Sequence, residues 1–340
     1  MSSNLNLELK LLDNLKLFRE RILEERIQRL KIGQDYLPFG VTFLDQALGG
    51  IYANDLILYV AKTGIGKTQL AVITAIAAAA LGKRVHFFAL EAEPNEIERR
   101  IKYQMLADNF FKFLRKDFPD VHLNYMDWYY GKLDAPLGKV EDEIQDLVKD
   151  LYPGLWTYYR EGEFTIQDFE RKFMAIQDQT DLVIVDHLHY FDHEDENENR
   201  AMKTIVKRIR DLAILSGKPV VLVAHMRKSD RKNKQIVPGC DEVHGSSDIT
   251  KIATKVVTIA PADEKQAHGN RWPTYIRVAK CRVDGSRTKF TGLVGFNADT
   301  NGYQSSYYLG RLSPSEDEFL PIYKFNELPY WAKSAEVMPQ

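Results

Sequence analysis

The segment Ala61-Lys62-Thr63-Gly64-Ile65-Gly66-Lys67-Thr68 brings together two glycines, a lysine and a hydroxyl at fixed spacing. That is the chemistry of a loop that wraps phosphate. Gly64 and Gly66 let the backbone curl so that successive N–H groups face phosphate oxygens. Lys67 is spaced to reach the β- and γ-phosphates of a nucleoside triphosphate, and Thr68 to offer its hydroxyl to Mg²⁺. The segment matches the Walker A pattern, with Ala61 in place of the first glycine, which requires a negative φ at that position. Ala61, Thr63, Gly64, Ile65, Gly66, Lys67, Thr68 and Gln69 are the expected nucleotide contacts. ATP or another nucleoside triphosphate, with Mg²⁺, is the expected ligand.

Phosphoryl transfer needs a further acid on the metal and a base that orients water. Two apolar runs end in carboxylates: LVIVD at Asp186 and VHFFALE at Glu91. Asp186 has the form of the Walker B acid and is assigned to Mg²⁺ through water. Glu91 is assigned as general base, with Glu93 as its competitor. A further apolar run ends at Ala224-His225, which makes His225 a candidate sensor of the γ-phosphate. His187, His189 and His193 look like a metal cluster, but they directly follow Asp186 and no cysteine accompanies them, so zinc is not expected there.

These residues need elements to hold them. Apolar runs at 56–60, 84–90, 182–185, 219–223 and 255–260 read as strands. Between them, 67–81, 201–216 and 248–253 read as helices, and the stretch from Glu91 to about 178 as mostly helical. Near-continuous apolar strands alternating with helices predict a parallel sheet covered on both faces, an α/β fold. Tyr275–Cys281 and Thr291–Phe296 read as a β-hairpin, and 303–340 shows no clear element. A short helix is expected at Phe43-Leu44-Asp45. The first 32 or so residues read as one helix, with Leu11, Leu15, Phe18 and Ile22 on a stripe that Leu23, Ile27 and Leu30 continue. Lys31 to Pro38 looks like a connector.

With 340 residues and 44% hydrophobic content, the chain has ample material for a core. A net charge of −2 announces no nucleic-acid partner, which must be sought in local clusters. Two distant cysteines, Cys240 and Cys281, exclude a disulfide framework. No leader and no membrane-length apolar run is visible, so a cytoplasmic location away from membranes is expected.

Taken in order, FGVTFLDQALGGI, the phosphate loop, FFALE, LVIVDHLHYF, VVLVAHMRKS, GSSDITKIATKVV and VAKCRVDGSRTKFTGLVGFNADTNGY resemble the DnaB-like replicative helicases of the RecA fold. That group includes the helicase half of phage primase-helicases and the mitochondrial replicative helicase. The resemblance spans about residues 36–300. It implies a RecA-like P-loop NTPase with a mostly parallel twisted sheet, helices on both faces, a C-terminal hairpin and an N-terminal extension helix. It also implies that Glu91 is the catalytic glutamate, Asp186 the Walker B acid and His225 the polar sensor. Lys280 and Arg282 match the pair that reaches a neighbouring subunit's nucleotide, with Arg282 the arginine finger and Arg287 the fallback. Gly245-Ser246-Ser247 matches a DNA-facing turn, departing from the family pattern at His244 and Ser247. The stretch after Glu91 carries no family motif.

The run Arg227-Lys228-Ser229-Asp230-Arg231-Lys232-Asn233-Lys234 follows the sensor strand. In a ring it would project into the central channel, where Arg227, Lys228, Arg231, Lys232 and Lys234 would follow a phosphate backbone, with Gly245 and Ser246 in the second loop. The expected arrangement is therefore an N-terminal docking helix with linker (1–35), an ATPase and helicase domain (36–300) and a C-terminal tail (301–340). The expected partners are single-stranded DNA, further copies of the chain in a hexameric ring, and other replication proteins. No primase domain is expected. The competing reading is a RecA, RadA or KaiC type of ATPase, acting as recombinase, loader or switch without unwinding.

Overall fold

The structure is a computed structural model that describes residues 17–133, 135–226, 235–243, 247–262 and 271–339. The chain divides into two units, 1–36 and 37–340. In the first, helix α1 (Phe18–Gln34) continues through the expected connector as far as Gln34. Its apolar side chains Phe18, Leu23 and Ile27 are exposed. Glu25 and Arg29 pair across one turn at 2.7 Å. Leu11 and Leu15, the start of the predicted stripe, lie outside the described residues.

The second unit opens with α2 (Thr42–Leu48), stopped by Gly49 in the left-handed region, and β1 (Leu56–Ala61). Then come α3 (Lys67–Ala79), β2 (Val85–Ala89) and α4 (Glu96–Asn109). Next are α5 (Tyr125–Tyr129), α6 (Ala135–Leu151), β3 (Leu155–Tyr159) and α7 (Ile166–Ile176). β4 (Leu182–Asp186), α8 (Glu198–Ser216), β5 (Val220–His225), α9 (Ser247–Ile252) and β6 (Lys255–Pro261) complete the alternating part. It ends with β7 (Arg271–Cys281), β8 (Thr291–Asn297), β9 (Gly302–Leu312), β10 (Phe319–Pro321) and β11 (Ala335–Glu336).

All strands join one sheet. The order β3-β2-β4-β5-β1-β6 is parallel throughout, and β7, β8, β9 and β10 extend it antiparallel, with β11 on β9. β1 shows why its sequence is apolar without alternation: all six of its residues are buried. Ile57 and Tyr59 enter one core with Phe43, Leu70 and Ile73 from α2 and α3. Leu56, Leu58 and Val60 enter the other with Phe169, Ile205 and Ile209 from α7 and α8. A sheet covered on both faces has no face left for polar side chains. α7 is started by a capping box between Thr165 and Asp168, and α8 by the Asn197 side chain accepting from the Arg200 N–H.

Two expectations are corrected here. The stretch taken as mostly helical contains edge strand β3, whose half-polar LWTYY pairs only with β2, so it lacks the continuous apolar run of a central strand. The predicted hairpin is present as β7 and β8, which pair antiparallel, and β6, β9 and β10 extend it into a longer antiparallel run. The tail is not elementless. Its Tyr, Phe and Trp residues pack the last strands, with Tyr307 and Trp331 against Phe43 at 5.2 and 6.5 Å between ring centroids. Among α4, α5 and α6, Tyr103, Phe110, Trp128 and Leu137 build a separate helical core.

Candidate nucleotide site

The register of the parallel strands gathers the chemistry at one edge. Ala61 at the end of β1 lies opposite His225 at the end of β5, and Ala89 of β2 opposite Asp186 of β4. The Leu90 and Glu91 backbone N–H groups both donate to the Asp186 carbonyl, at 2.5 and 3.3 Å. The C-terminal edge of four strands therefore carries the phosphate loop, Glu91, Asp186 and His225, which is where ligands bind in open parallel sheets.

The loop has the conformation its residue types require. Ala61 is still strand and is not among the residues with positive φ, so a side chain is tolerated where the pattern has glycine. Gly64 and Gly66 have φ of +81° and +89°, and the space beside each is open. Glycine is needed there for backbone conformation and not for room. Thr63 and Gly64 are exposed, so the loop faces solvent. Gly66 leads directly into α3, which turns its N-terminal N–H groups toward the loop. The Ile65 side chain packs against the core, leaving its backbone to the loop. The buried Lys67 donates from Nζ to the Lys62 carbonyl at 3.1 Å. Burial pulls its pKa down, while Glu91 and Asp186 push it up. Gln69 is the exception among the expected contacts. Its buried side chain donates to the Asn301 carbonyl at 2.9 Å and lies 3.4 Å from Arg100 Nη1, so it braces the loop from within the protein.

Asp186 is buried, and neither of its carboxylate oxygens has a hydrogen-bond partner among the described residues. Burial raises its pKa to about 6; Thr68 and Lys67 act in the opposite direction, and Glu91 adds to the rise. A buried carboxylate left open on both oxygens beside a threonine hydroxyl fits a divalent cation. Thr68 and Asp186 are the residues that would hold Mg²⁺. Of the two candidate bases, Glu91 is the one whose charge acts on both Lys67 and Asp186. Glu93 is exposed and has no such influence among the described interactions.

Lys280 and Arg282 stand elsewhere. β7 runs antiparallel to β6, so Cys281 lies opposite Lys255, at the start of β6. The Arg282 N–H donates to the Thr254 carbonyl at 2.9 Å, and the Thr254 N–H to that of Leu56 at 2.8 Å. Both basic residues therefore sit at the edge where the parallel strands begin, a strand length of roughly 17 Å from the phosphate loop. Lys280 Nζ donates to the carbonyls of Thr250 and Lys251 at 2.6 and 2.8 Å. Arg282 Nη2 donates to those of Lys251 and Ile252, each at 3.3 Å. Arg287, the fallback finger, is engaged differently: it pairs with Asp284 at 2.8 Å and lies over the Tyr330 and Trp331 rings.

Two residues at the site, Arg100 and Tyr190, were not singled out from sequence. Arg100 acts on the Asp186 charge from α4, where it pairs with Glu96 at 2.7 Å. Its only sequence signal is an ordinary i,i+4 pair. The Tyr190 hydroxyl has a raised pKa from burial and from Glu91 nearby. His187, read as part of a histidine run, is buried with its ring centroid 3.9 Å from that of His225. The DNA-contact expectations Arg227, Lys228, Arg231, Lys232, Lys234, Gly245 and Ser246 lie outside the described residues. No helix among the described residues is long and apolar enough to cross a membrane.

The family described as AAA domain matches residues 44–231. No curated protein sequence matches. Among solved structures, a DnaB-like replicative helicase studied with its primase interactions is similar with a TM-score of 0.62 and 17% identity, over 85% of this chain and 67% of that one. The ATPase domain of G40P is similar with a TM-score of 0.62 and 18% identity, over 85% of this chain and 99% of that domain. The chain therefore has the fold of the DnaB-like helicase ATPase domains, as its motifs implied.

Proposed function

This chain belongs to the AAA-domain family, and from that premise we propose that it is an ATP-driven DNA helicase, a hexameric ring that moves along single-stranded DNA by hydrolysing ATP between subunits. The observation that carries the reading is the position of Arg282. It lies at the opposite edge of the sheet from the phosphate loop of its own chain. An arginine finger placed there serves a neighbouring subunit's nucleotide, which makes hydrolysis depend on assembly.

In this reading the loop Ala61–Thr68 binds the triphosphate through backbone N–H groups, and Lys67 leaves the Lys62 carbonyl to neutralise the β- and γ-phosphates. Thr68 and Asp186 would hold Mg²⁺, which would screen charge on the phosphate oxygens. Glu91 accepts the proton of the attacking water, and its backbone tie to Asp186 fixes its place at the strand end. Arg282 of one subunit and Lys280 beside it stabilise charge developing on the phosphoryl group bound by the next. His225 senses the γ-phosphate and passes its loss to the basic segment that begins at Arg227, whose cations track the DNA backbone. The exposed apolar side of α1 is the surface by which each subunit grips its neighbour.

The test is hydrolysis with and without single-stranded DNA, alongside solution mass and unwinding of a forked duplex. The helicase reading expects a hexamer, a several-fold rise in rate with the strand, and unwinding. A monomer indifferent to the strand overturns it. A ring that hydrolyses but never unwinds points to the loader or switch reading.

A further inference from the structure

Strand order brings His225 to the histidines that follow Asp186: its ring centroid lies 3.9 Å from that of His187 and 5.6 Å from that of His189. Glu91, His187 and His225 each bring one ligand atom to within 4.8 Å of the others. They come from the ends of three neighbouring strands, β2, β4 and β5. His187 is fully buried, and its Nε2 has no hydrogen-bond partner among the described residues. Its Nδ1 lies 3.3 Å from Nδ1 of His189. A proton on His187 Nδ1 is then shared with His189, and Nε2 keeps its lone pair for a ligand, as in metal sites where a second group fixes the ring. The 3.4 Å contact from the His189 backbone N–H to the same atom serves the other tautomer.

We propose that Glu91, His187 and His225 form a second cation site, chosen by zinc-class divalent ions and separate from the Mg²⁺ ligands Thr68 and Asp186. Two imidazoles and one carboxylate suit zinc, cobalt or nickel, whereas Mg²⁺ demands an all-oxygen octahedron. Ligand atoms around tetrahedral zinc stand about 3.3 Å apart. Glu91 is exposed and would leave its hydrogen bond with Tyr190, and the half-buried His225 would turn with it, to close the set around the buried His187 ring. Three protein ligands leave one position open toward the cleft, the arrangement of an accessible site and not of a structural one. Occupation removes the groups assigned above as base and sensor, so the ion inhibits hydrolysis. Binding stands without that assignment; inhibition rests on it.

The experiment uses the tag-free full chain, first without nucleotide or Mg²⁺. Co²⁺ is titrated and its visible d–d absorption followed, then displaced by Zn²⁺. Wild type is expected to saturate with about one ion per chain in low-coordinate geometry. Glu91→Gln and His187→Gln are each expected to weaken binding at least ~10-fold, and His193→Gln to leave it unchanged. Glu91 is exposed, so its variant reads the site even where the buried His187 variant fails to fold. Absence of a saturable band, or full affinity in Glu91→Gln, overturns the site. Zn²⁺ is then added to the Mg²⁺-supported reaction. A fall in rate at the concentration that saturates binding supports the inhibitory role, and an unchanged rate with the ion bound overturns that role while leaving the site.

Discussion

Lys280 donates from Nζ to the carbonyl of Thr250 at 2.6 Å, in the last turn of α9. Arg282, two residues on, holds the carbonyls of Lys251 and Ile252. Cations on the open carbonyls of a helix C-terminus are favourable. The arrangement has a functional consequence, because α9 begins directly after Gly245-Ser246. One six-residue helix thus joins the turn expected to meet DNA with the pair expected to reach the next subunit's nucleotide. Lys280→Ala is predicted to lower strand-stimulated hydrolysis by about 10-fold or more, the size of a lost hydrogen bond to a charged group. Nucleotide affinity should stay within about twofold, since Lys280 is assigned to charge that develops only in the transition state. Steady-state rates with and without DNA, and a fluorescent-nucleotide titration, check both.

Asp186 gives a prediction of opposite sign for stability and for activity. Its pKa in the folded chain is about 6, against an ordinary 3.8, because burial disfavours the charge. The folded state holds the proton more tightly, so this stabilisation is present below pH 4 and is lost as pH rises through 6. Above pH 7 the nucleotide-free chain carries a cost of about 2–3 kcal/mol. Asp186→Asn should therefore be more stable than wild type at pH 8 by about 1–3 kcal/mol, with the difference fading near pH 4. The same variant should lose Mg²⁺-dependent hydrolysis. Asp45, raised to about 6 by burial, titrates in both proteins and cancels in the comparison. Urea unfolding at the two pH values decides the matter. A variant less stable than wild type at pH 8 contradicts the assignment of burial as the main cause.

Lys255 and Asp55 test what holds the sheet's finger edge. Lys255 Nζ pairs with the Asp55 carboxylate and donates to the Gly50 carbonyl at 3.0 Å, all buried. Asp55 also accepts from the Tyr52 N–H at 2.9 Å and the Thr254 hydroxyl at 2.7 Å. Lys255→Met leaves that carboxylate buried without its cation and should cost about 3–5 kcal/mol. Adding Asp55→Asn should cost much less than a second such loss, because the stranded charge is gone. Equilibrium unfolding of the three variants measures it. Additive losses contradict the pairing.

Much of the site was legible because phosphate chemistry constrains both residue type and position. Gly64, Gly66, Lys67, Asp186 and Glu91 lie at the ends of strands whose unbroken apolar runs announce a doubly covered sheet. The sequence was less informative where residues serve a surface or meet only in space. β3 is an edge strand with half-polar residues and reads like its helical surroundings. The tail strands carry aromatics whose partners, such as Phe43, lie more than 250 residues away. The approach of His225 and Glu91 to His187 is set by strand order, which periodicity does not encode.

The central claim is that each active site is completed by the neighbouring subunit, and mixing two inactive variants measures it directly. Lys67→Ala removes the phosphate-binding lysine and keeps Arg282; Arg282→Ala does the reverse. Each alone should lose about 10³-fold or more in rate, with Arg282→Ala still binding nucleotide. Mixed in equal amounts and reassembled, about a quarter of the interfaces in a random ring combine an intact loop with an intact finger. The account predicts that strand-dependent hydrolysis returns to a comparable fraction of the wild-type rate. Mixed rings that stay as inactive as their components, while both variants assemble, would contradict it.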